Sequence, residues 1–182
     1  MALTTGLLKA SSWELEPPLT CGETTVTRFE SAPYSIEEQT DGTFIVSIPD
    51  GAYRFMAAGE PHLPFLVRRI AVPKGCVAEI EILNVEVSET NAPAIQPTPR
   101  LEARESQHGQ HVEPAPASES ETYRADAFWP PQLMEIDYAS QGKQGWARVL
   151  INPVQYNPVR GILRWNKTIE ARLVWRERLA TE

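Results

Sequence analysis

Cysteine and histidine are the side chains in this chain best able to act as nucleophile, base or metal ligand, and it holds two of the first and three of the second. A cysteine nucleophile needs a lowered pKa beside a histidine that can take its proton. Cys21 sits in Leu-Thr-Cys-Gly and Cys76 in Lys-Gly-Cys-Val at the start of a strand, while His62 lies between Pro61 and Pro64. None has a nucleophile's setting, so no catalytic residues are assigned and the chain is not expected to be an enzyme. The two cysteines allow at most one disulfide, and spacing leaves open whether Cys21 and Cys76 pair or remain two buried thiols. His108 and His111, flanked by Glu105 and Glu113, have a spacing that would suit a metal on a helix. Gly109 and the nearby prolines oppose a helix, and the rest of a ligand set is missing. Asp41-Gly42 and Pro49-Asp-Gly51 lack the spaced acidic series of a calcium loop and read as turns. No metal or other cofactor is expected.

The elements that would carry these residues are strands. Sixteen prolines against ten glycines, with few 3.6-periodic stretches, favour strands and loops over helices. The alternation of apolar residues marks eight candidates: 24–29, 43–48, 65–72, 76–87, 133–138, 145–151, 160–165 and 168–175. Asn157-Pro158 should turn the chain between the apolar runs on either side of it, and Pro153 belongs at a strand end, bulge or edge. In 76–87 the inward phase passes from Ala78, Ile80 and Ile82 to Val85 and Val87, which predicts a bulge near Leu83-Asn84. Eight short strands with Pro/Gly turns give an all-β fold, an antiparallel β-sandwich. The aromatics Trp129, Tyr138, Trp146, Tyr156, Trp165 and Trp175 could line a carbohydrate platform, but such a fold needs most of them as core.

A chain of 182 residues suits one domain. Its expected layout is a flexible lead-in over 1–20, a sandwich over 21–178 and a tail over 179–182. Residues 88–122 stand apart, with five prolines, six glutamates and few apolar side chains. That composition predicts a long, disordered-looking loop. A formal charge of −7 argues against nucleic acid or an anionic membrane as partner. No stretch reaches membrane-spanning length, and Met1–Ala10 lacks the apolar run of a secretory signal.

Three motifs in order complete the picture: Gly59-Glu-Pro-His-Leu-Pro64, a Tyr123…Trp129-Pro130 segment, and Pro153-Val-Gln-Tyr-Asn-Pro158. Together they make the chain, from about Gly42 to Trp175, resemble the propeptide domain of the gingipain-type (family C25) cysteine peptidases. The resemblance implies a non-catalytic β-sandwich that keeps such a peptidase latent, assists its folding, and is removed by cleavage. Its partner would be the peptidase's catalytic domain, in cis or in trans, and its location extracellular. In that family a loop offers a basic side chain to the acidic specificity pocket. Here the resemblance points to Arg100 and Arg104, the two arginines of the 88–122 loop, as the inhibitory and cleavage residues. Arg100 is preferred, since Pro97 and Pro99 favour an extended backbone before it and Leu101 adds an apolar contact after it. The alternative is a free-standing β-sandwich binding or adhesion module of the cell surface. Whether a peptidase domain follows Glu182 would separate the two.

Overall fold

The computed structural model describes residues 14–15, 20–55, 57–106, 109–141 and 144–177. Thirteen strands run through them: β1 (Glu14–Leu15), β2 (Thr24–Glu30), β3 (Ser35–Glu38), β4 (Phe44–Ser47), β5 (Ala52–Tyr53), β6 (Pro64–Val72), β7 (Cys76–Asn91), β8 (Arg100–Ser106), β9 (Gly109–Ala115), β10 (Met134–Gln141), β11 (Gln144–Ile151), β12 (Val154–Asn157) and β13 (Ile162–Glu177). One 3-10 turn, Glu121–Arg124, lies between β9 and β10. No helix among these residues is long and apolar enough to cross a membrane.

The strands form two main sheets. One has the order β1-β6-β11-β10, with β5 added to β6. In the other, β13 is the spine: β7 pairs along one edge, while β2 and β12 share the opposite edge end to end. Side chains from both sheets meet in one core, with Ile70, Val149 and Ile151 from the first and Leu163, Ile169, Ala171, Leu173 and Trp175 from the second. Alternation decides this. Ile169, Ala171, Leu173 and Trp175 are nearly solvent-free, while Arg172 and Arg176, at positions of the opposite phase, meet Glu81 and Glu79 of β7 in ion pairs on the outer face. The all-β sandwich expected from alternation is the fold found.

The bulge expected near Leu83-Asn84 is present: Ala171 faces Ile82 and Glu170 faces Asn84, leaving Leu83 without a partner across the ladder. A second irregularity falls at Lys167 of β13, between the Asn166–Val87 and Thr168–Glu86 pairs. Val85, opposite the buried Ile169, packs against the core as expected, whereas Val87, opposite Asn166, is exposed. Sequence alternation also splits β13 at Asn166-Lys167. The structure keeps it as one strand because Asn166 is buried and its N–H donates to the Pro153 carbonyl at 2.8 Å.

The expectation of a disordered-looking loop over 88–122 needs correction. Its first residues complete β7, and Ile95 and Pro97 then bridge to Phe44 and Pro61. Next β8 and β9 form an antiparallel hairpin, which leads into the 3-10 turn. Ile95 and Thr98 are buried. Composition missed this because the segment is ordered mainly by backbone hydrogen bonds, which carry no apolar signature.

Cys21 and Cys76 are joined as a disulfide, with Cα atoms 5.8 Å apart. It ties the entry of β2 to the start of β7.

Candidate functional site

Arg100 and Arg104 both lie on β8, in the hairpin with β9. The register sets Arg100 opposite Ala115, Glu102 opposite Glu113 and Arg104 opposite His111, so these share one face. Leu101 and Ala103, opposite Pro114 and Val112, take the other. The hairpin is therefore an amphipathic ribbon. Its apolar face is open to solvent, with Leu101 50% and Val112 62% exposed. On the charged face Arg100 Nη2 reaches Glu102 Oε1 at 2.6 Å, and Glu113 accepts from Arg104 Nε at 3.4 Å and meets His111 Nε2 at 2.7 Å. Exposed ion pairs of this kind contribute about 0–1 kcal/mol, so a partner's carboxylate could displace them at little cost.

Arg100 and Arg104 sit on a paired strand and not in the disordered-looking loop expected from composition. β8 is laddered to β9 on one side, while its other edge pairs with no strand among the described residues. His108 lies outside the described residues. His111 is engaged with Glu113, and among the described residues no group of three His, Cys, Asp or Glu could hold a metal ion.

The ribbon's roots are built from the first two sequence motifs. The Gly59–Leu63 segment runs alongside the leg before β8, where His62 N–H donates to the Gln96 carbonyl at 2.8 Å and Thr98 N–H to the Glu60 carbonyl at 2.7 Å. The His62 ring is buried, stacks on Tyr53 with centroids 4.3 Å apart, and places Nδ1 3.3 Å from Thr98 Oγ1. Burial pushes its pKa down to about 4, so the ring is neutral near pH 7. Tyr123 O–H donates to the Ile95 carbonyl at 2.7 Å on the same leg, and burial raises its pKa, keeping it a donor.

The third motif holds the chain that leads from the ribbon back to the sheets. Trp129 and Tyr156 exchange backbone hydrogen bonds at 2.9 and 2.8 Å, and Gln155 Nε2 donates to the Pro130 carbonyl at 2.6 Å. Asn157 Nδ2 donates to Asp126 at 2.8 Å while its Oδ1 accepts from Arg160 N–H at 3.1 Å, which closes the β12–β13 turn. Asn152, Gln155, Asn157 and Asn166 are all buried. Sequence reasoning passed over their roles; polar amides set among the apolar residues of a strand-forming block were the available signal.

Tyr156 and Trp175 are buried and Trp129 and Trp165 pack against the core, which removes most of a carbohydrate platform. A cavity of about 100 Å³ beside the roots, lined by Leu63, Phe65, Thr98 and Trp129 among others, is smaller than pockets that enclose metabolites, typically about 300–1,000 Å³. The chemistry on offer is that of a projecting, arginine-bearing ribbon.

Against this geometry, a model of the Propeptide_C25 family matches residues 23–181. The chain belongs to the C25 propeptide family. Two solved structures share its fold. One is described as the complex of Porphyromonas gingivalis RgpB pro- and mature domains, at 21% identity and TM-score 0.68 over 86% of this chain and 80% of that one. The other concerns the zymogenic latency of gingipain K from the same organism, at 20% identity and TM-score 0.66 over 90% of this chain and 97% of that one. Among curated proteins none matches the chain. Membership of a propeptide family agrees with a non-catalytic domain.

Proposed function

We propose that this C25 propeptide domain holds a gingipain-type cysteine peptidase latent and assists its folding, by laying the β8–β9 ribbon in the peptidase's cleft with Arg100 or Arg104 in its specificity pocket. Cleavage after arginine in the ribbon then begins removal of the domain. The observation that carries this is the ribbon itself, which forms a sheet apart from the two main ones, bears both arginines exposed on one face, and keeps one edge of β8 unpaired among the described residues. An unpaired edge offers the extended backbone that peptidase clefts accept. Family membership and the two structural neighbours, one a complex of pro- and mature domains and one described by its latency, support a cis or trans peptidase partner. A disulfide is at home in an oxidising compartment, which supports an exported protein.

The test is inhibition of the cognate arginine-specific peptidase by the wild-type domain, Arg100→Ala, Arg104→Ala and the double variant. A guanidinium paired with a buried carboxylate contributes about 2–3 kcal/mol, so loss of the presented arginine should weaken inhibition roughly 30- to 150-fold. Unaltered inhibition by the double variant would mean that the sandwich, not the ribbon, blocks the enzyme.

A further inference from the structure

Among the described residues the β8–β9 ribbon forms a two-stranded sheet of its own and pairs with neither main sheet. Two-stranded ribbons are marginally stable alone in water, so its position has to be set at its roots. There a single residue bonds to both legs: Gly59 N–H donates to the Thr98 carbonyl at 2.8 Å on the leg entering β8, and Gly59 C=O accepts from Ser120 N–H at 2.9 Å on the leg leaving β9. The neighbouring Glu60 and His62 add two more backbone bonds to the entering leg, and Pro61 bridges to Pro97. This segment is itself fixed, since Pro61, His62 and Leu63 are buried and Tyr53, stacked on His62, donates its hydroxyl to the Val46 carbonyl at 2.8 Å.

Position 59 leaves no room for a side chain. Its φ of +86° lies in the left-handed region, and a Cβ there would come within 2.6 Å of the Ser118 carbonyl oxygen. Thr98 is buried, and its hydroxyl faces His62 Nδ1.

We propose that Gly59–His62 is a clamp that grips both legs of the β8–β9 ribbon and sets its position on the sandwich, with Gly59 and His62 as positioning residues. The clamp holds the ribbon whether or not Arg100 and Arg104 engage a peptidase, so its test needs no partner and is independent of the proposed inhibition. Its functional consequence is pre-organisation: a ribbon held at both roots loses less freedom when it enters a cleft than a loose loop would.

Amide hydrogen exchange on the full chain, followed by mass spectrometry, tests this in Gly59→Ala and in the gentler Thr98→Val, which keeps side-chain shape and removes only the hydroxyl facing His62. With the clamp broken in Gly59→Ala, amides of β8, β9 and both roots should exchange at least tenfold faster, while those of β6, β11 and β13 keep wild-type rates. Thr98→Val should give the same pattern at smaller amplitude, and it carries the test if Gly59→Ala fails to fold. Wild-type exchange in the ribbon of folded variants, or a rise spread equally over β6, β11 and β13, would overturn the proposal.

Discussion

His62 is kept neutral by its surroundings, and that ties stability to pH. Its pKa is pushed down from 6.5 to about 4 by burial, so below about pH 6.5 the unfolded chain takes up a proton that the folded chain refuses. Stability contributed here is complete above pH 6.5 and is lost as the pH falls towards 4. The loss should come to about 2 kcal/mol, allowing for solvent screening. Urea unfolding at pH 7 and pH 4.5 should reveal it, and in His62→Gln the difference between the two pH values should shrink; an undiminished difference would assign the acid sensitivity to other groups. Asn157 offers a second case. Its amide serves the β12–β13 turn and Asp126 together, and the Arg160 hydrogen bond, with help from Asn157, holds the Asp126 carboxyl below the usual range. Asn157→Ala strips two partners from a buried site and should cost about 1–3 kcal/mol in chemical unfolding.

At the scale of the element, β13 tests the assigned facing. Leu173→Ala opens a cavity in the shared core and should cost about 2–5 kcal/mol, whereas Arg172→Ala removes only an exposed pair with Glu81 and should cost under about 1 kcal/mol. Comparable costs at both positions would reverse the facing. The 88–122 segment makes a sharper element-level prediction. Composition alone suggests that all of it can be excised without harm. The structure divides it: replacing 101–114 with a short Gly/Ser linker should leave cooperative thermal unfolding nearly unchanged, but removing 88–122 deletes the end of β7 and the buried Ile95 and Thr98 and should abolish it. Survival of the larger deletion would mean that the roots add nothing to the sandwich.

For the whole molecule, the Cys21–Cys76 disulfide links residues 55 apart in sequence and so restricts the unfolded chain. Replacing both with serine should lower stability by about 2–4 kcal/mol, read as a reduced urea midpoint. An unchanged midpoint would show that the two sheets hold the entry of β2 in place without it. The single core also explains how the ribbon can project: with both main sheets sealed face against face, the domain does not depend on β8 and β9 for its apolar burial.

Much of this protein was legible in its residues alone. Period-two alternation with Pro/Gly turns determined the all-β class, the main sandwich strands and even the bulge at Leu83, because side-chain facing in a strand is a local property of spacing. The order of three motifs was enough to point to the C25 propeptides. The tertiary structure alone decided that Cys21 meets Cys76, that 88–122 holds the end of β7 and the β8–β9 hairpin, and that Arg100 and Arg104 share a laddered strand with His111 opposite Arg104. It also decided that the motifs are anchors, with Gly59 joined to both legs of the ribbon and Asn157 to Asp126. These features rest on backbone and amide hydrogen bonds between residues distant in sequence. Such bonds leave no apolar period to read, since any residue's N–H and C=O can make them.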